Sequence, residues 1–132
     1  MRQVLVLGAF LAFAPATGAL AQQAGDPAAG QRVFNQCMAC HTIQQGQPNR
    51  VGPNLHGVIG RKAGSVEGFR YSANLKQLGE GGHTWNEETL RPYLQNPKAV
   101  APQGIMAFPG IRNETQLNDV IAYVKQASGG GQ

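Results

Sequence analysis

The run Cys37-Met38-Ala39-Cys40-His41 places two thiols and an imidazole within five residues. Cys-x-x-Cys-His is the attachment pattern of a c-type haem. Two thiols add to the vinyl groups of the porphyrin as thioethers, and the residue after the second cysteine sets an imidazole under the iron. Haem held this way cannot dissociate, and it supplies a redox centre that side chains alone cannot build. The competing chemistry is a thioredoxin-like Cys-x-x-Cys. That motif requires a βαβ setting, which no run of β-branched alternation provides, and it gives His41 no task.

A six-coordinate electron-transfer haem takes Met or His on its second face. The other histidines are His56 and His83, and the methionines beyond the first residue are Met38 and Met106. Met38 lies between the thioether cysteines, so it is tied to the haem edge. Met106 stands 65 residues after His41 in a Gly- and Pro-rich segment. A soft thioether there suits iron and raises its reduction potential. Spacing favours Met106. His56, 15 residues after His41, is the alternative, and a methionine filling a core gap is the bland one.

Several elements must position these groups. Arg2, the apolar run Val4 to Ala14 and Ala19-Leu20-Ala21 form a secretory signal pattern, with cleavage expected after Ala21. The apolar run is shorter than the roughly 18 residues a spanning helix needs, so no stable membrane anchor is expected. One domain, residues 22–132, remains. Asp26-Pro27 reads as an N-cap and first helical residue, with Val33, Phe34 and Cys37 at helical spacing, which puts Cys37 near that helix's end. Thr42 to Arg70 is rich in Gly, Pro, Asn and Gln, too long for an ordinary connector unless it wraps something. Ser72 to Leu78 predicts a short helix ending at Gly79. Asn86 or Thr84 caps another through Leu94, with Pro92 expected to kink or shorten it. Pro97 opens a short segment, and Ala101 to Ile111 is irregular. Asn113-Glu114-Thr115-Gln116 reads as a capping box before Leu117, Val120, Ile121 and Val124 at i, i+3, i+4 and i+7. Ser128 to Gln132 reads as a flexible tail. The fold class is all-α, with short helices and long loops.

The chain carries 11 Lys+Arg against 7 Asp+Glu, and losing Arg2 with the leader lowers its formal charge from +4 to +3. The basic residues form no block, which argues against nucleic-acid binding. A mild positive field suits either steering to an acidic protein or plain solubility.

Taken in order, the motifs resemble the class I cytochromes c, the group of mitochondrial cytochrome c and bacterial cytochrome c2. Gly30 and Phe34 resemble the glycine and aromatic of the family's first helix, with Tyr123 as partner on the last. Val51-Gly52-Pro53-Asn54-Leu55-His56-Gly57 follows the haem motif, then Gly60-Arg61-Lys62, Gly68-Phe69-Arg70-Tyr71, His83-Thr84-Trp85, Tyr93-Leu94-Gln95-Asn96-Pro97 and Met106-Ala107-Phe108. The resemblance implies one covalent haem c on Cys37 and Cys40, with N- and C-terminal helices packed together. It implies His41 and Met106 as iron ligands, and it takes His56 out of contention. It implies that the Pro53 carbonyl accepts from His41 Nδ1. Tyr71, Trp85 and Arg61 would bind or neutralise the haem propionates, and Asn74 and Tyr93 would belong to a polar network near Met106. Without the resemblance, Trp85, Tyr71 and Tyr93 read as aromatic core and Arg61 as surface.

The function implied is a monomeric periplasmic one-electron carrier and not an enzyme. It would dock transiently to redox partners at the exposed thioether edge and the Met106 loop, between a quinol-oxidising complex or dehydrogenase and a terminal oxidase or photosynthetic reaction centre. Three rivals predict other observations: a haem enzyme or gas binder with an open sixth site, a thiol–disulfide module, and a dedicated dehydrogenase subunit. One departure bears on docking, because Gln36, Ala99 and Ile105 stand where lysine is common in mitochondrial members.

Overall fold

The computed structural model describes residues 23–129. The proposed leader therefore lies outside the described residues, as do 130–132. Five α-helices follow one another: α1 Pro27–Phe34, α2 Ala73–Glu80, α3 Glu87–Gln95, α4 Pro97–Val100 and α5 Glu114–Ala127. Among the described residues the only β feature is a single antiparallel bridge between Lys62 and Thr84, so the fold is all-α.

Helix α1 starts where Asp26 accepts from the Ala28 N–H at 2.9 Å, with Pro27 at the first helical position. It stops at Phe34, earlier than the apolar spacing predicts, so Cys37 lies beyond it. The chain past Phe34 tightens into turns instead: Cys37 N–H donates to Phe34 O at 2.8 Å, and Cys40 and His41 N–H both donate to Cys37 O, at 3.1 and 2.9 Å. The haem motif is thus carried on coiled backbone held from behind by α1.

Helices α1 and α5 form the principal packing. A Cβ on Gly30 would stand 2.8 Å from the Tyr123 Cβ and would overlap the Asp119 carbonyl. Only glycine lets the two backbones approach this closely. Beside it the Phe34 and Tyr123 rings lie 5.1 Å apart, tilted by 49°, and Asp26 N–H donates to Asp119 Oδ1 at 2.8 Å. Phe34, Leu117, Val120 and Ile121 are fully buried at this junction.

Several local features differ from or sharpen the sequence expectation. Gly79 does not end α2 but lies inside it, buried, because a side chain there would collide with the Ala63 carbonyl. Helix α3 passes through Pro92 to Gln95. Proline has no N–H for the Glu88 carbonyl, and Glu88 is exposed, so water can satisfy it. The reciprocal capping box forms at Asn86 and Thr89; at α5, Asn113 Oδ1 accepts from Gln116 N–H at 3.0 Å. Ser128 does not open a loose tail. It is fully buried, and its carbonyl accepts from Gly57 N–H at 2.7 Å.

The long segment between α1 and α2 contributes core as well as turns. Ile43, Val58 and Ala63 are buried. Gly60, at φ +84°, bends the chain where its N–H donates to Trp85 O at 2.6 Å. That backbone sign is costly for other residues.

Candidate haem site

His41 is the fixed point. Its Nδ1 lies 2.8 Å from the Pro53 carbonyl. A carbonyl only accepts, so Nδ1 carries the proton and Nε2 keeps its lone pair free for a metal. Gly52 sits against the same ring, and its N–H donates to Cys40 O at 2.8 Å. Burial holds the His41 imidazole below its ordinary pKa; the bond to Pro53 opposes this, and the charge of Arg61 reinforces it. A neutral imidazole with one free nitrogen is the form that binds iron.

Cys37 and Cys40 are half-buried free thiols. Burial, with Cys40 beside it, pushes the Cys37 thiol up to about 11. Redox-active Cys-x-x-Cys pairs do the opposite and lower the thiol pKa. A raised pKa leaves Cys37 poorly set for the thiolate chemistry of disulfide exchange.

Met106 lies in the irregular stretch between α4 and α5, half-buried and packed on the core. Two bonds tie its loop to helices: Lys98 Nζ donates to the Gly104 carbonyl, and Gln103 N–H donates to Asn74 Oδ1 at 3.3 Å. Asn74 thus reaches the Met106 loop from α2. Tyr93, from α3, packs its ring 4.8 Å from that of Trp85. Lys98 and Gly52 carry positioning roles that the motif pattern did not single out. For Gly52 the signal was its place directly before Pro53.

Arg61 is half-buried, and its Nη1 donates to the carbonyls of Asn54 and His56 at 3.1 and 3.0 Å. The ion pairs among the described residues are Arg91–Glu114 and Lys125–Glu87, so Arg61 has no carboxylate partner there. Burial lowers its pKa, and Tyr71 opposes the shift. The Tyr71 hydroxyl accepts from Val66 N–H at 3.2 Å. Trp85 N–H donates to Arg61 O at 2.9 Å, which brings Trp85 beside Arg61. The His56 ring lies close to Gly129, just past the end of α5.

The residues present fit a haem. Among the described residues no three His, Cys, Asp or Glu side chains group as a metal site. A bare ion would lack ligands, whereas a porphyrin brings four nitrogens and needs only two more. Two thiols stand beside His41, whose Nε2 is left free, and the half-buried Arg61 guanidinium lacks an anion that a propionate would supply.

Similarity to known proteins points the same way. A family model described as cytochrome c matches residues 27–128. The chain is 44% identical over 127 residues to cytochrome c2 of Blastochloris viridis, covering 96% of this chain and 95% of that one. It is 43% identical over 129 residues to cytochrome c-554 of Methylosinus trichosporium, covering 98% and 95%. It is 47% identical over 105 residues to cytochrome c-550 of Ancylobacter novellus, covering 80% and 98%. With the all-α fold and the Cys37–Cys40–His41 arrangement, these matches place the chain in the cytochrome c family, electron carriers that each hold one covalent haem c.

Proposed function

We propose that this protein is a soluble periplasmic one-electron carrier with His41 and Met106 as axial ligands of a haem bound through Cys37 and Cys40. The observation that carries the reading is the 2.8 Å contact between His41 Nδ1 and the Pro53 carbonyl, which leaves Nε2 as the ring's one metal-binding atom. When bound, haem supplies a one-electron iron couple. The chain's part is to fix both faces. Pro53 and Gly52 hold the His41 ring in one orientation, and Lys98 and Asn74 tie down the Met106 loop. With His41 and Met106 as both ligands, no position would be left for substrate or gas. Rigid ligands also keep structural change on electron transfer small. Arg61, Tyr71 and Trp85 would take the propionates, and Asn74 and Tyr93 would belong to the polar network near Met106.

The Val4 to Ala14 run and Ala19-Leu20-Ala21 support export and cleavage, giving a mature chain that begins at Gln22. Among the described residues no helix is long and apolar enough to cross a membrane. Partners would be a quinol-oxidising complex or dehydrogenase on the donor side and a terminal oxidase or photosynthetic reaction centre on the acceptor side. The protein would meet them as a monomer in small, transient contacts. Exposed Met38, Val51 and Ile105 favour apolar over charged docking.

The test is a reductive titration of the purified holoprotein with spectra and N-terminal mass. A far-red Met–iron band in the ferric form, one reversible one-electron step and a mass starting at Gln22 are expected. Rapid carbon monoxide binding by the reduced protein at neutral pH would overturn the closed coordination sphere.

A further inference from the structure

The pairing that fixes Trp85 also fixes His83. Ala63 N–H donates to His83 O and Trp85 N–H donates to Arg61 O, each at 2.9 Å. His83 and Trp85 are two residues apart on this extended run, so their side chains leave it on the same side. Their rings meet edge to face, with centroids 4.7 Å apart and 79° between planes. Yet His83 Nε2 is buried without a hydrogen-bond partner. A buried ring nitrogen left unpaired is destabilising and calls for an explanation. The ring also borders a surface-open cavity of about 500 Å³ with Asn74, Gln77 and Leu78.

Two unanswered groups therefore flank Trp85. Arg61 is a half-buried cation without a carboxylate among the described residues, and His83 has a buried ring nitrogen without a hydrogen-bond partner. An anionic acceptor beside Trp85 would answer both. We propose that His83 Nε2–H donates a hydrogen bond to a haem propionate, joining Arg61, Tyr71 and Trp85 around it. The proposal rests on the haem reading above and adds a residue to it. The neutral Nε2–H tautomer is sufficient, and no net charge need be buried.

The test uses the holoprotein with ¹⁵N-labelled histidine in its reduced, diamagnetic state. A His83 ring proton on Nε2, slow to exchange and with Overhauser contacts to the propionate methylenes, is expected. His83→Phe keeps an aromatic edge on Trp85 but removes the donor. It leaves the propionate charge less compensated, which favours Fe(III), so its reduction potential at fixed pH should fall below wild type. His83→Gln restores a donor and should recover part of the fall. An unprotonated Nε2, Overhauser contacts from its proton to water alone, or an unchanged potential in His83→Phe with haem intact would each overturn the proposal. An intact His/Met haem spectrum in the same sample separates that failure from failure of the carrier reading.

Discussion

Gly52 leaves no room between its backbone and the His41 ring. A Cβ there would stand 2.6 Å from Nδ1 and 2.7 Å from Nε2 and would overlap Cε1. The neighbouring Pro53 carbonyl takes the Nδ1 proton, so two consecutive residues set both the plane and the tautomer of the imidazole. Gly52→Ala should therefore act as an overpacking change that tilts the ring. The expected loss is about 1–3 kcal/mol, measured by denaturant unfolding of the holoprotein. Altered g values of the ferric form should accompany it, because ring orientation sets the ligand field. A variant with wild-type stability and g values would show that the contact is not confining.

Replacing Met106 tests the second face. Met106→Ala should abolish the far-red band and let carbon monoxide bind the reduced protein. Met106→His should keep the iron six-coordinate while lowering its potential, since a thioether raises the potential relative to imidazole. If the far-red band survives in Met106→Ala, another residue supplies the ligand.

The close approach of α1 and α5 makes Gly30 intolerant of any side chain. Gly30→Ala brings a Cβ into the Asp119 carbonyl and within 2.8 Å of the Tyr123 Cβ. Backbone atoms cannot step aside as a flexible side chain can. The expected cost is about 3 kcal/mol or more. Phe34→Ala, a large-to-small change at a fully buried site, should cost about 3–5 kcal/mol. Thermal unfolding of the holoprotein measures both.

Local chemistry made much of this fold legible in the sequence. Asp26-Pro27, Asn86 and Asn113 announce helix starts because short polar side chains satisfy the first free N–H groups, and the Leu117 to Val124 spacing marks the buried face of α5. What escaped depends on neighbours distant in the chain. Gly79 looks like a helix stop but serves a close approach to Ala63. Ser128 looks like the start of a tail but is buried against Gly57. Cys37 has helical spacing from Phe34, yet the helix ends there in turns. For the site, the spacing marks Cys37, Cys40 and His41. Gly52, Lys98 and His83 act through contacts across loops, which spacing cannot register.

Lys98 closes the Met106 loop from α4 by donating to the Gly104 carbonyl. Lys98 is exposed, so its bond should contribute only about 1 kcal/mol. Lys98→Ala should then raise the rate at which imidazole enters the ferric holoprotein by about five-fold, with the haem still attached and the far-red band present. Stopped-flow binding measures it. An unchanged rate would mean that Asn74 and core packing hold the loop without Lys98.

Alkaline pH should test the aromatic wall. Burial is the leading cause that holds the Tyr71 and Tyr93 phenols above the ordinary value of 10.0. Val66 and Arg61 partly oppose it at Tyr71, while Tyr71 adds to it at Tyr93. A folded pKa above the unfolded one means that the fold favours the neutral phenol. Its contribution is complete below pH about 10 and is lost as pH rises through the folded value. Titration of ¹³Cζ-labelled tyrosine by NMR should show both phenols ionising above 10, and Tyr93→Phe should delete one late step and lessen the alkaline loss of stability. Two phenols titrating at the solvent value would place Tyr71 and Tyr93 in water rather than in partly or fully buried packing.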